Sequence, residues 1–288
     1  MTKSAARSRI TAPSLLQQKR DGTPIVMVTA YDATFARLID SCDVDMVLVG
    51  DSLGMVMQGH QHTLEVTLEH MVYHTRCVTR VTKSVHVVAD LPFMSYQVNA
   101  EDGIRAAGRL VQEGGAAAVK LEGGESRVET VRRIAEAGIP VMGHLGLTPQ
   151  SVHAFGGFRA QARDSATADR LFRDALALQH AGAYAVVLEG IPASLAERVT
   201  AELEIPTIGI GAGVGCDGQV LVMQDLLGLD DQFQPRFVKR YAQLAQTVRE
   251  AVGSYAAEVR TRQFPAEQHA FDVDLESGRA SSHVKPAR

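Results

Sequence analysis

The stretch "MVLVGDSLGMV", Met46 to Val56, opens on an apolar run and then turns abruptly to an acid and a hydroxyl, Asp51 and Ser52. A short apolar run without alternation suits a strand buried on both faces, as in a parallel sheet. Counting Asp45–Gly50 as one strand, seven more such runs follow the same pattern. They are "PIVMVTA" (24–30), "VHVVAD" (85–90), "AAAVKLE" (116–122), "IPVMGH" (139–144), "AYAVVLE" (183–189), "IPTIGI" (205–210) and "QVLVM" (219–223). Amphipathic stretches lie between them. "SRVETVRRIAEAG" places Val128, Val131, Ile134 and Ala135 on one helical face before Gly138 and Pro140 stop it. "ATADRLFRDALALQHAG" and "PASLAERVTAELE" behave alike, the latter with Pro192 near its start. Strand and helix alternating about eight times predicts a (β/α)8 TIM barrel. One junction is irregular, because too few residues separate Ile210 from Gln219 for a crossover helix. A doubly wound open sheet is the rival architecture; eight strands favour closure.

Both ends carry extras. A short helix over 14–21 is expected to cover the bottom of the barrel, and "PRFVKRYAQLAQTVREAVGSYAAEVR" predicts a long helix after the last strand. The division expected is a flexible start (1–9), a single barrel domain (10–270) and a polar, loosely ordered tail (271–288).

The totals are compatible with one domain. A chain of 288 residues buries roughly three-quarters of the surface it exposes when unfolded. The net charge of −4, without a basic stripe, argues against nucleic acid as a partner. Cys42, Cys77 and Cys216 are odd in number and far apart, so neither a disulfide framework nor a zinc ribbon fits. With no secretory signal pattern at the start and no apolar run long enough to span a bilayer, a cytoplasmic protein without a membrane partner is expected.

The acids at strand ends suggest chemistry. Asp51 follows the second strand, Asp90 ends the third, Lys120 and Glu122 lie at the end of the fourth, His144 ends the fifth and Glu189 the sixth. Acids are 33 of 288 residues, so four strands of eight ending in one is well above background. An acid after a strand often caps the next helix, yet none of these is followed at once by a strong helical pattern. In a barrel all of them converge on the C-terminal mouth, where such enzymes keep their chemistry. Asp51, Asp90 and Glu122 are hard oxygen donors suited to Mg2+. That ion could bind a 2-oxo acid through carboxylate and ketone and stabilise its enolate. Ser52 and Lys120 are placed to hold the substrate carboxylate, leaving Glu189 as the proton acceptor.

Seven blocks resemble one family. "VTAYDATFARLID", "LVGDSLGMV", "VVADLPFMSY", "VKLEGG", "MGHLGLTPQSVHAFGGF", "VLEGIP" and "IPTIGIGAG" occur in the order found in the ketopantoate hydroxymethyltransferases, and the similarity runs from about Ile10 to His269. The resemblance implies a (β/α)8 barrel, bound Mg2+, and transfer of a one-carbon unit from 5,10-methylenetetrahydrofolate to 3-methyl-2-oxobutanoate, the first committed step toward pantothenate. It puts the metal on Asp51, Asp90 and Glu122, the substrate on Asp51, Ser52, Asp90, Lys120 and His144, and the catalytic base on Glu189. It also implies a homodecamer of two stacked pentameric rings. On this reading Gly54 lets the chain turn away beneath Asp51 and Ser52.

Other features tempt. His70 and His74 lie four apart on a likely helix, but no Glu follows His70 and no third zinc ligand is evident. "GIGAGVG" (209–215) fails the dinucleotide-loop spacing and reads instead as tight turns on the folate-side rim. The segment 153–168 is expected to act as a lid. Two further functions compete. One is a phosphoenolpyruvate mutase or isocitrate lyase relative, which a cysteine-bearing catalytic loop would favour. The other is a non-catalytic metabolite-binding barrel, against which Glu189 argues.

Overall fold

The structure is a computed structural model that describes residues 8–231, 234–271, 273–274 and 279–280. Eight parallel strands close a barrel in sequence order: β1 (Ile25–Thr29), β2 (Met46–Val49), β3 (His86–Asp90), β4 (Ala118–Glu122), β5 (Val141–Gly146), β6 (Ala185–Glu189), β7 (Thr207–Ile210) and β8 (Gly218–Leu221), with β8 paired back onto β1. The open-sheet alternative is thereby excluded. Most of the residues named for the flexible start and the loose tail lie outside the described residues; Val273–Asp274 and Arg279–Ala280 pair antiparallel.

Side chains alternate across each strand. Met46, Leu48, Val88, Ala118, Met142, Ala185, Val187, Ile208 and Val220 fill the barrel interior. Val47, Val49, Val87, Ala89, Val119, Leu121, Val186 and Leu188 face the helices outside. Both faces are buried, which is why the strands read as unbroken apolar runs. The helix Ala12–Arg20 closes the bottom as expected; its Leu15 and the preceding Ile10 join the interior cluster. Thr11 caps it, accepting from the Ser14 N–H.

The β7–β8 junction solves its shortage of residues without a helix. Residues 211–217 run back along the helix Ala193–Glu202. A Cβ at Gly213 would lie 2.5 Å from that of Ala193, and one at Gly215 2.9 Å from that of Glu197. Glycine permits an approach too close for any side chain. The long helix Leu244–Arg260 is present, but it buries none of its residues against the barrel.

Candidate active site

The same alternation that sends Met46 and Leu48 inward sends Asp90, Lys120, Glu122, His144 and Glu189 inward at the strands' C-terminal ends. Register then sets neighbours: Asp90 pairs with Lys120, and Glu122 with His144. The acids at the mouth, except Glu189, whose side chain is 16% exposed, are part of the buried interior. Asp51, Asp90, Lys120, Glu122 and His144 are each between 2% and 5% exposed.

Lys120 Nζ lies 2.7 Å from Asp90 Oδ1. The other Asp90 oxygen accepts the Asp51 N–H at 3.0 Å. Gly50 makes room for this, since a Cβ there would meet Ser52 Oγ at 2.8 Å and Asp90 Oδ2 at 3.4 Å. Ser52 Oγ shares a 2.9 Å hydrogen bond with the buried Tyr31 hydroxyl. Across the mouth His144 stands between two acids, Nδ1 3.2 Å from Glu122 Oε1 and Nε2 3.2 Å from Glu189 Oε2.

These contacts set the charges. Burial works against the Lys120 cation, but Asp90, then Glu122 and Asp51, outweigh it and hold its pKa above the ordinary lysine value. Burial and Lys120 likewise oppose the His144 cation, and the contacts to Glu122 and Glu189 push its pKa up to about 9. Asp51 is pushed well above the usual carboxylate range, first by burial, then by Asp90 and Glu122. Negative charge is therefore in excess around Asp51. A divalent cation would relieve it, so the donor set fits Mg2+. Among the described residues no three His, Cys, Asp or Glu side chains form a ready-made metal cluster. Mg2+ does not need one, because it commonly takes one or two carboxylates and completes its octahedron with water and substrate oxygens.

A cavity of about 1560 Å3 opens above this floor. A five-carbon oxo acid needs only a fraction of it, so a second, larger reactant has room. Met55, His60, Phe158, Arg163, Arg236 and Phe237 are among its outer walls. Phe158 and Arg163 belong to the segment expected as a lid, which begins in the short helix Val152–Phe155 and ends in the start of the helix Ser165–His180. Gly211 and Gly213 of the "GIGAGVG" run also line the cavity.

One reading of an individual residue changes, and the histidines set aside as zinc ligands have ordinary partners. Gly54 does not turn the chain away; it sits in the short helix Leu53–Val56, and a Cβ there would strike Val66 at 2.6 Å. His70 caps its helix by accepting the Thr67 N–H, and His74 Nδ1 lies 2.7 Å from the Tyr31 carbonyl oxygen. Gln150, Tyr96 and Tyr31 were not singled out from the sequence, yet all three touch the residues of the site. Gln150 lies within the block "MGHLGLTPQSVHAFGGF", where a polar side chain directly after Pro149 was the available signal.

Residues 9–267 match the family model described as ketopantoate hydroxymethyltransferase. A 3-methyl-2-oxobutanoate hydroxymethyltransferase of Magnetococcus marinus is 58% identical over 266 residues, covering 92% of this chain and 99% of that one. One from Anaeromyxobacter sp. strain Fw109-5 is 56% identical over 274 residues, covering 94% and 90%. Among solved structures, the 2,3-dimethylmalate lyase of the PEP mutase/isocitrate lyase superfamily superposes with a TM-score of 0.59 at 17% identity, covering 91% of this chain and 89% of that one. That likeness is one of fold.

Proposed function

The chain belongs to the ketopantoate hydroxymethyltransferase family, and we propose that it transfers a hydroxymethyl group from 5,10-methylenetetrahydrofolate to 3-methyl-2-oxobutanoate, giving 2-dehydropantoate for pantothenate synthesis. The observation that carries this reading is the pairing of a carboxylate–lysine floor, Asp51, Asp90 and Lys120, with a separate acid, Glu189, held beside His144 at 3.2 Å. One half suits binding of an oxo acid and the other suits removal of a proton.

Asp51, Asp90 and Glu122 would hold Mg2+. When bound, the ion supplies Lewis-acid polarisation of the substrate ketone. Lys120 and the Ser52 hydroxyl meet the substrate carboxylate, Ser52 being oriented by Tyr31. Glu189 takes the proton from C3 of the oxo acid, and His144 fixes the position of that carboxylate. The carbon nucleophile so formed bonds to the methylene carbon of the folate in the outer cavity, the two carbon–nitrogen bonds of that methylene break, and one water supplies the hydroxyl, so that tetrahydrofolate and 2-dehydropantoate leave. The segment 153–168, through Phe158 and Arg163, lines that cavity and limits its exchange with bulk solvent.

The assembly read from the family resemblance is a homodecamer. The helix Leu244–Arg260 supports it: Val248, Val252, Tyr255 and Val259 recur every three or four residues and are 43–60% exposed. Such a stripe matches a helix that packs on another subunit. No described helix is long and apolar enough to cross a membrane, in keeping with a cytoplasmic enzyme.

The direct test is product analysis. Incubation with 3-methyl-2-oxobutanoate, 5,10-methylenetetrahydrofolate and Mg2+ should yield 2-dehydropantoate, and chelation of the metal should stop it. Absence of product with all three present would overturn the assignment.

A further inference from the structure

Gln150 is buried, 7% exposed, in the single turn Pro149–Ser151 that follows β5. Its side-chain amide has every hydrogen-bonding position filled. Nε2 donates to Asp51 Oδ2 at 2.8 Å and to the Leu91 carbonyl oxygen at 2.9 Å. Oε1 accepts from the Tyr96 hydroxyl at 2.7 Å and from Gln97 Nε2 at 2.9 Å. Two acceptors on one side and two donors on the other leave one orientation for the amide. The backbone N–H of the same residue donates to Glu122 Oε2 at 2.9 Å. One residue from the β5 loop thus holds the carboxylates that follow β2 and end β4. Tyr96 adds a brace, its hydroxyl oxygen accepting the Glu122 N–H at 3.0 Å.

Neither Gln150 nor Tyr96 is among the residues lining the cavity. They stand behind the carboxylates rather than facing the reactants. From this geometry we propose that Gln150 is the positioning residue of the metal site: it presents Asp51 and Glu122 to the divalent cation in one fixed arrangement, with Tyr96 holding the amide in place. This inference rests on the assignment of Asp51, Asp90 and Glu122 to the cation. The physical reason is crowding. Asp51, Asp90 and Glu122 are buried together, and without a fixed donor the Asp51 carboxylate would swing away from its like-charged neighbours. An amide donor holds it near them at no cost in charge, which neither a glutamate nor an apolar side chain at 150 can do. Partners of metal-binding carboxylates typically account for 10–100-fold in metal affinity.

Mn2+ binding to the full-length protein, followed by the electron paramagnetic resonance signal of the free ion, separates the possibilities. Wild type should bind and Asp90→Ala should not. Gln150→Met, which keeps length without polarity, should weaken Mn2+ by about 10–100-fold at a temperature where its melting curve shows it folded. Tyr96→Phe removes only a hydroxyl and serves as the second variant should Gln150→Met not fold. It should weaken Mn2+ several-fold, and the double variant should bind no worse than Gln150→Met alone, since both act through one amide. Wild-type affinity in Gln150→Met, or in Tyr96→Phe if only that variant folds, would overturn the role of Gln150. Failure of wild type to bind Mn2+, or full binding by Asp90→Ala, would instead overturn the metal assignment beneath it.

Discussion

Glu189 and His144 face one another across β5 and β6, Oε2 3.2 Å from Nε2, although strand register pairs Glu189 with Gly146. His144 remains a cation at neutral pH, its pKa pushed up to about 9 against burial and Lys120 by Glu122 and Glu189. Glu189, the proposed base, therefore lies beside a side chain that favours a positive charge, while its backbone is pinned by the Leu147 N–H, which donates to the Glu189 carbonyl oxygen at 2.8 Å.

Glu189→Gln keeps this shape and removes the base. Wild type should exchange the C3 proton of 3-methyl-2-oxobutanoate with deuterated water when Mg2+ is present, even without folate. The variant should lose roughly 10²–10⁴-fold of that exchange and still bind the oxo acid. Unchanged exchange would transfer the role to another group. Loss of exchange and of binding together would make Glu189 a binding residue.

Asp90→Ala should cost stability as well as activity. Asp90 and Lys120 form a buried pair at 2.7 Å. Removing one partner strands the other charge, at roughly 3–5 kcal/mol. Asp90→Asn still accepts from the Asp51 N–H and should lose less. Urea unfolding of both variants against wild type checks the order; equal stability of all three would show that Lys120 finds another partner.

His86 should make folding acid-sensitive. It lies at the start of β3, Nε2 3.1 Å from the Tyr184 hydroxyl, and burial lowers its pKa from 6.5 to about 4. Between those values the unfolded chain binds a proton that the folded chain refuses. Stability falls as pH drops through that window, by up to roughly 3 kcal/mol in all. In His86→Gln the slope of stability against pH should flatten by that contribution. Identical slopes for variant and wild type would assign the acid sensitivity elsewhere.

Val252→Glu places a charge in the exposed stripe of the helix Leu244–Arg260. If that stripe packs on another subunit, sedimentation velocity should show a smaller species, with the circular dichroism of each chain unchanged. A sedimentation coefficient equal to that of wild type would remove the helix from the interface.

The acids were legible because strand ends are legible. An apolar run that stops at Asp90, Glu122 or Glu189 announces both the strand and the group it presents, and parallel strands in a closed barrel bring all such ends to one mouth. Eight strands, their order and the bottom-covering helix followed from local pattern in the same way, since burial on both faces leaves no alternation to blur it. What local pattern could not carry is contact between segments far apart in the chain. Gln150 meets Asp51, 99 residues away, and Tyr96 meets Glu122, 26 residues away. Gly54 has its reason in Val66, and Gly213 and Gly215 have theirs in the helix Ala193–Glu202. Composition and periodicity determined which groups this protein brings to its mouth. Only the closed barrel decided which of them touch, because hydrogen bonds and charges act over a few ångströms of space, whatever their separation along the chain.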